Sequence, residues 1–276
     1  MTEGPARRSP GPQRIFDGTF LRATFWQPAH PATTLYVTFR QRLPDPGRFD
    51  ETGPVRQALS RGFAHLHLQS RWNDWYLNDE TEALEAALAG LRSGFVRAWA
   101  IGYSMGGYGA LRLSRGLGLN RVLLISPQVS LDRSVVPLED RYPEAADFDS
   151  ARGDLRQVAS PGLEGVLAID PFRRADLAHA RLAQVLFPGL ALARLSFGGH
   201  PATGVLREGG MFRSLQALSM ADQMPAAEVV RLHRGLRSGS QRYWRARAAT
   251  CRKAGHPDAA RIAEARLAGL VQQVSG

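Results

Sequence analysis

Short apolar runs recur along the chain, separated by segments with helical spacing. Phe20–Trp26, Thr34–Phe39, Phe63–Leu68, Val96–Ile101, Arg121–Ile125, Gly165–Ile169 and Leu190–Phe197 each have the length and β-rich content of a strand. Between them lie predicted helices. Val55–Arg61 is short and Gly62 would end it. Asp79–Leu91 carries Leu84, Leu88 and Leu91 on one face. Met105–Leu113, Phe172–Val185 and part of Leu206–Met220 follow. Strands that alternate with helices predict an α/β domain with a mostly parallel central sheet flanked by helices.

Two segments depart from that rhythm. Residues 127–163 are rich in Asp, Arg, Pro and Ser and have little periodicity, which predicts an insertion over the sheet, a candidate lid. Residues 221–276 read as helical only, with a hairpin of Ser240–Ala254 and Asp258–Val271 around the Gly255-His256-Pro257 break. The small residues of that hairpin look like a tetratricopeptide repeat. One such unit cannot stand alone, so it is expected to pack on the main domain or on a partner. The expected organisation is a disordered Pro-, Gly- and Arg-rich segment 1–13, an α/β domain 14–220 and a helical appendage 221–276.

Composition adds one oddity. The 276 residues hold 35 Lys plus Arg against 25 Asp plus Glu, and Lys253 is the single lysine. Residues 221–276 carry ten of those cations and four acids, so over half of the net +10 lies in the appendage. An acidic protein partner for the tail is the functional expectation, and a solvated helix face is the bland one. Nucleic acid is disfavoured, because no recognised nucleic-acid motif accompanies the charge. No apolar run reaches the roughly 18 residues needed to span a bilayer, and no apolar stretch follows Arg7-Arg8 as in a secretory signal. A cytoplasmic protein is expected. Cys251, alone, is read as a structural thiol. His65 and His67 share a strand face, with no third ligand nearby. No metal-ligand spacing or phosphate-binding glycine loop is found, so no metal or cofactor is expected.

The chemistry-bearing motif is Gly102-Tyr103-Ser104-Met105-Gly106. An apolar strand runs into it, and a helix with Gly107, Gly109 and Ala110 leaves it. That strand–turn–helix arrangement thrusts a serine out at a strand end. Side chains at the flanking glycines would collide with the neighbouring strand and helix. The helix N-terminus beneath Ser104 favours developing negative charge.

Ala100-Ile101-Gly102-Tyr103-Ser104-Met105-Gly106-Gly107 resembles the nucleophile elbow of the α/β-hydrolase superfamily, in the form common among its esterases, lipases and thioesterases. The resemblance extends in element order over about residues 14–220. It implies a serine hydrolase that cleaves an ester or thioester through an acyl-enzyme on Ser104. It further implies the chain order serine, acid, histidine, each at the carboxyl end of its own strand. Asp170, directly after the strand Gly165–Ile169, is the expected acid, with Asp147, Asp149, Asp154 and Asp176 as rivals. A helix cap before Pro171 is the other reading of Asp170. His200, on a glycine-flanked loop after the last strand, is the expected base; His179, mid-helix, and His233, in the tail, suit that role less. The oxyanion donors are expected to be the amide of Met105 and that of Arg40 or Gln41. Phe39-Arg40-Gln41-Arg42 lacks the glycine pair or run that many relatives carry there. Arg71, Trp72 and Tyr103, with Arg40, Asn73 and Trp75, follow strands on the expected active face and are candidates for substrate binding; Trp72 and Trp75 could stack on a sugar or an acyl chain. The alternative is a catalytically weak or inactive hydrolase-fold protein that acts as a binding module through its helical tail.

Overall fold

The computed structural model describes residues 11–275. Of the segment 1–13 expected to be disordered, residues 1–10 lie outside the described residues, and Gln13 opens a strand. Eight strands form one sheet in the order β1-β2-β4-β3-β5-β6-β7-β8. They are β1 Gln13–Asp17, β2 Leu21–Trp26, β3 Thr34–Phe39, β4 Ala64–Ser70, β5 Arg97–Tyr103, β6 Arg121–Ile125, β7 Glu164–Ile169 and β8 Leu190–Arg194. β1 pairs antiparallel with β2 and β2 antiparallel with β4, and the remaining pairs, from β4 to β8, are parallel. The edge strand β1 was not foreseen. It is short and largely exposed, and lacks the apolar run by which the other strands announce themselves.

The parallel strands are continuous apolar runs because both of their faces are covered. After the short helix α1 (Arg56–Ser60), two longer helices pack on the sheet: Leu35, Val37, Ala98 and Leu124 face one core with Leu84 and Leu88 of α2 (Thr81–Arg92) and Tyr108 and Leu111 of α3 (Met105–Arg112). Tyr36, Trp99, Ile101 and Leu123 face a second core with Leu215 and Val229.

After β3 the chain builds β4 on one side, then crosses back to place β5 on the other. The carboxyl ends of β3 and β5 therefore diverge at a topological switch point, where open α/β sheets bind ligands.

Residues 127–163 are anchored rather than detached. Val129, Leu131, Val136, Leu155 and Val158 join the first core, and the buried Tyr108 hydroxyl donates to Gly153 O at 2.9 Å. Beyond β8 the chain is helical, ending in the antiparallel pair Gln241–Lys253 and Pro257–Ser275. Among the described residues no helix is long and apolar enough to cross a membrane.

Candidate active site

Ser104 sits between β5 and α3 with φ 49° and ψ −121°, a conformation rare for a residue with a side chain. The glycines make room for it. A Cβ on Gly102 would come within 2.5 Å of Gly106 O, and one on Gly106 within 2.9 Å of Arg40 O. The turn is thus wedged against its own helix and against the loop that follows β3.

Ser104 Oγ lies 2.9 Å from His200 Nε2, and His200 Nδ1 lies 2.9 Å from Asp176 Oδ2. The serine–histidine pair expected from the sequence comes together. The expected acid does not join it. Asp170 Oδ1 accepts from Phe172 N and Phe197 N, and Oδ2 accepts from Gly199 N. Its carboxylate therefore ties the start of the next helix to the loop that carries His200, and none of its hydrogen bonds goes to the imidazole. Burial raises the Asp170 pKa, and these amides offset part of that.

Asp176, one of the rival candidates, falls inside a helix. It stands in the first turn of α4 (Arg174–Leu186), so its side chain still projects at the carboxyl edge of the sheet. The legible signal was spacing. Asp176 and His179, three apart on the buried face of α4, are polar residues where apolar ones are expected.

A second set of groups comes from residues 127–163. Arg141 Nη1 donates to Asp176 Oδ1 at 2.6 Å and lies 3.2 Å from His200 Nδ1. In the tautomer that donates Nδ1–H to Asp176, that last approach is a charge contact. Arg141 also pairs with Glu139, and Glu139 Oε2 lies 2.7 Å from His179 Nε2, both side chains being wholly buried. Burial opposes ionisation of Asp176, but His200 and Arg141 outweigh it and hold its pKa below the usual carboxylate range. Glu139 is likewise lowered, to about 2, where hydrogen bonds from Arg141 and His179 overcome burial. The Tyr142 hydroxyl lies 3.0 Å from His200 Nε2 and 3.4 Å from Ser104 Oγ, and it accepts from Gln128 Nε2 at 3.1 Å. None of these four residues carried a local sequence signal, because they lie in irregular chain.

The other candidates divide. Met105 opens α3, where the first amides have no intrahelical acceptor. The Arg40 amide donates to Leu68 O at 2.9 Å, so it is not free to serve as the expected oxyanion donor. The Arg40 side chain is buried and bonds Arg48 O, Ser70 O and Asp50. Arg71 Nε is committed to Gly47 O. Tyr103 stacks on Phe212 and packs against the second core. Trp72 is exposed, beside the loop after β3 that Asn73 fixes through Leu43 N and Leu43 O. His65 and His67 share the Thr38 hydroxyl, and burial lowers their pKa values to about 3 and about 4. His233 is buried and bonds Ser196 O.

No family model matches the chain, and no curated protein sequence does. Solved structures do resemble it. The capsule O-acetyltransferase of Neisseria meningitidis serogroup A superposes with a TM-score of 0.52 at 13% identity, over 75% of this chain and 93% of that one. A candidate thioesterase of Silicibacter sp. TM1040 superposes with a TM-score of 0.50 at 16% identity, over 78% of this chain and 86% of that one. With an eight-stranded, mostly parallel sheet, a strained serine turn after β5 and these structural neighbours, the chain has the α/β-hydrolase fold.

Proposed function

We propose that this protein is a serine hydrolase that cleaves a carboxylic ester or thioester, with Ser104 as nucleophile, His200 as base and Asp176 as the orienting acid. The observation that carries the reading is the unbroken chain of contacts, Ser104 Oγ to His200 Nε2 at 2.9 Å and His200 Nδ1 to Asp176 Oδ2 at 2.9 Å. A serine hydroxyl is a weak nucleophile until a neighbouring imidazole can take its proton.

Ser104 Oγ attacks the acyl carbon while its proton passes to His200 Nε2. The tetrahedral oxyanion is met by the amides of Met105 and Gln41. Collapse breaks the bond to the leaving alcohol or thiol, which takes the proton from His200. Water, deprotonated by the same imidazole, then attacks the acyl-enzyme and releases the carboxylic acid. An alcohol acceptor in place of water would give acyl transfer, the chemistry named for the Neisseria acetyltransferase. The Tyr142 hydroxyl, within reach of both Ser104 and His200, supplies a further polar group beside the reacting oxygens.

The test is covalent labelling with a fluorophosphonate. Wild-type protein is expected to carry one adduct, on Ser104, and Ser104→Ala and His200→Ala none. A folded wild-type protein that stays unlabelled would overturn the reading.

A further inference from the structure

We propose that Tyr142 is a further catalytic residue: its hydroxyl donates a hydrogen bond to the oxygen that leaves the acyl carbon, which makes alcohol esters, not thioesters, the substrates cleaved at Ser104. The inference rests on the reading of Ser104 as nucleophile and names the leaving group at that same site.

Three polar atoms form a triangle. Ser104 Oγ lies 2.9 Å from His200 Nε2, His200 Nε2 lies 3.0 Å from the Tyr142 hydroxyl, and that hydroxyl lies 3.4 Å from Ser104 Oγ. The leaving oxygen takes its proton from Nε2 while still joined to the carbon that Oγ has attacked. It must therefore stand within hydrogen-bond reach of Nε2 and two bonds from Oγ, which brings it against the Tyr142 hydroxyl. A donor to the oxyanion has no need to touch Nε2.

The hydroxyl is set up to donate. The wholly buried Gln128 sends Nε2–H to the Tyr142 oxygen at 3.1 Å, so the O–H points elsewhere, toward Ser104 and His200. With Nδ1–H given to Asp176, His200 Nε2 is an acceptor, and Ser104 is the nearer of its two hydroxyl partners. Once Oγ has joined the acyl carbon and Nε2 has gained the proton, Nε2 no longer accepts, and the Tyr142 O–H is free for the leaving oxygen. Burial raises the Tyr142 pKa against the pull of Arg141, so the phenol keeps its proton. The ring is held in place as well. Trp75 meets it edge-on at 5.1 Å, and Arg141 and Arg42 lie over it, 5.2 and 5.7 Å from its centre.

The chemistry favours oxygen. The Oγ–acyl bond forms, the bond from the acyl carbon to the leaving oxygen breaks, and the proton that His200 took from Ser104 passes to that oxygen; Tyr142 keeps its own. An alkoxide-like oxygen is a strong acceptor and a poor leaving group, so a second donor lowers its barrier. A departing sulfur accepts weakly and leaves readily, so it gains little. An activated phenolate also leaves readily and gains little.

The experiment compares ethyl, butyl and benzyl acetate with S-ethyl thioacetate and p-nitrophenyl acetate, in wild-type protein and Tyr142→Phe, by kcat/KM, which reads acylation. Tyr142→Phe keeps the ring and its packing and loses the hydroxyl. It should cut kcat/KM about 100-fold for the alkyl acetates, the scale of one lost transition-state donor, and by no more than about tenfold for the thioester and the p-nitrophenyl ester. Equal losses with all substrates would make Tyr142 an oxyanion or packing group and overturn the proposal. A gain with all of them would make it a plug over the serine and also overturn it. Wild-type protein that takes up fluorophosphonate yet leaves every alkyl acetate intact overturns it too. Failure of the nucleophile reading is distinct: Ser104 would then stay unlabelled in wild type and Tyr142→Phe alike.

Discussion

Arg141 donates to Asp176 at 2.6 Å, and the same carboxylate faces the imidazole of His200. The guanidinium is held from its other side by Glu139, which His179 holds in turn. A buried carboxylate beside a histidine is thus kept ionised by a cation from a different part of the chain. Breaking a buried ion pair by removing one partner strands the other charge, at about 3–5 kcal/mol. Arg141→Met should therefore lower stability by roughly 3 kcal/mol at pH 7, with part of the loss recovered near pH 4 as the stranded carboxylates protonate. Urea titrations at the two pH values measure it.

The two aspartates near the site are separable. Asp176→Asn keeps the shape but offers the imidazole an amide, and such changes cost about 10⁴-fold in kcat in serine triads. Asp170→Asn leaves the contacts of His200 in place and weakens the hold on Phe197 N and Gly199 N. It should lower the thermal midpoint and reduce kcat far less than Asp176→Asn. Equal losses of kcat would refute the assignment of the acid.

The proposed oxyanion donor on the loop after β3, the Gln41 amide, is a main-chain group, so only a change that deletes the N–H removes it. Gln41→Pro should reduce kcat by about 10²–10³, with KM little changed. Gln41→Ala, which keeps the amide, should stay close to wild type. If both variants behave alike in kcat, the donor lies elsewhere.

Acid sensitivity should come partly from His65 and His67. Burial lowers the first to about 3, and burial with the charge of Arg40 lowers the second to about 4. In the unfolded chain each titrates near 6.5. The unfolded state therefore binds more protons between those values. The stability linked to them is fully present above about pH 6.5 and falls as pH drops toward 4, by an amount on the order of 2 kcal/mol for each histidine over two pH units. His67→Gln should flatten the decline in urea midpoint between pH 6.5 and 4.5, and an unchanged slope would exclude the linkage.

What could be read from the chain alone is what local physics controls. Apolar runs with helical spacers specify a parallel sheet, because each element must bury its own face. Gly102 near Ser104 marks a turn that tolerates no Cβ, a steric fact set within five residues, since its Cβ would strike Gly106 O. His200 was legible from its glycine-flanked place after the last strand. Three matters were decided only in three dimensions. Asp176 and not Asp170 meets the imidazole, because the direction in which α4 leaves the sheet determines which carboxylate reaches it. The Arg40 amide is unavailable because β4 supplies its acceptor, a partner 28 residues along the chain. Arg141 and Tyr142 reach Ser104, His200 and Asp176 from irregular chain. No periodicity or spacing encodes such a contact, since it depends on how a long loop packs over the finished sheet.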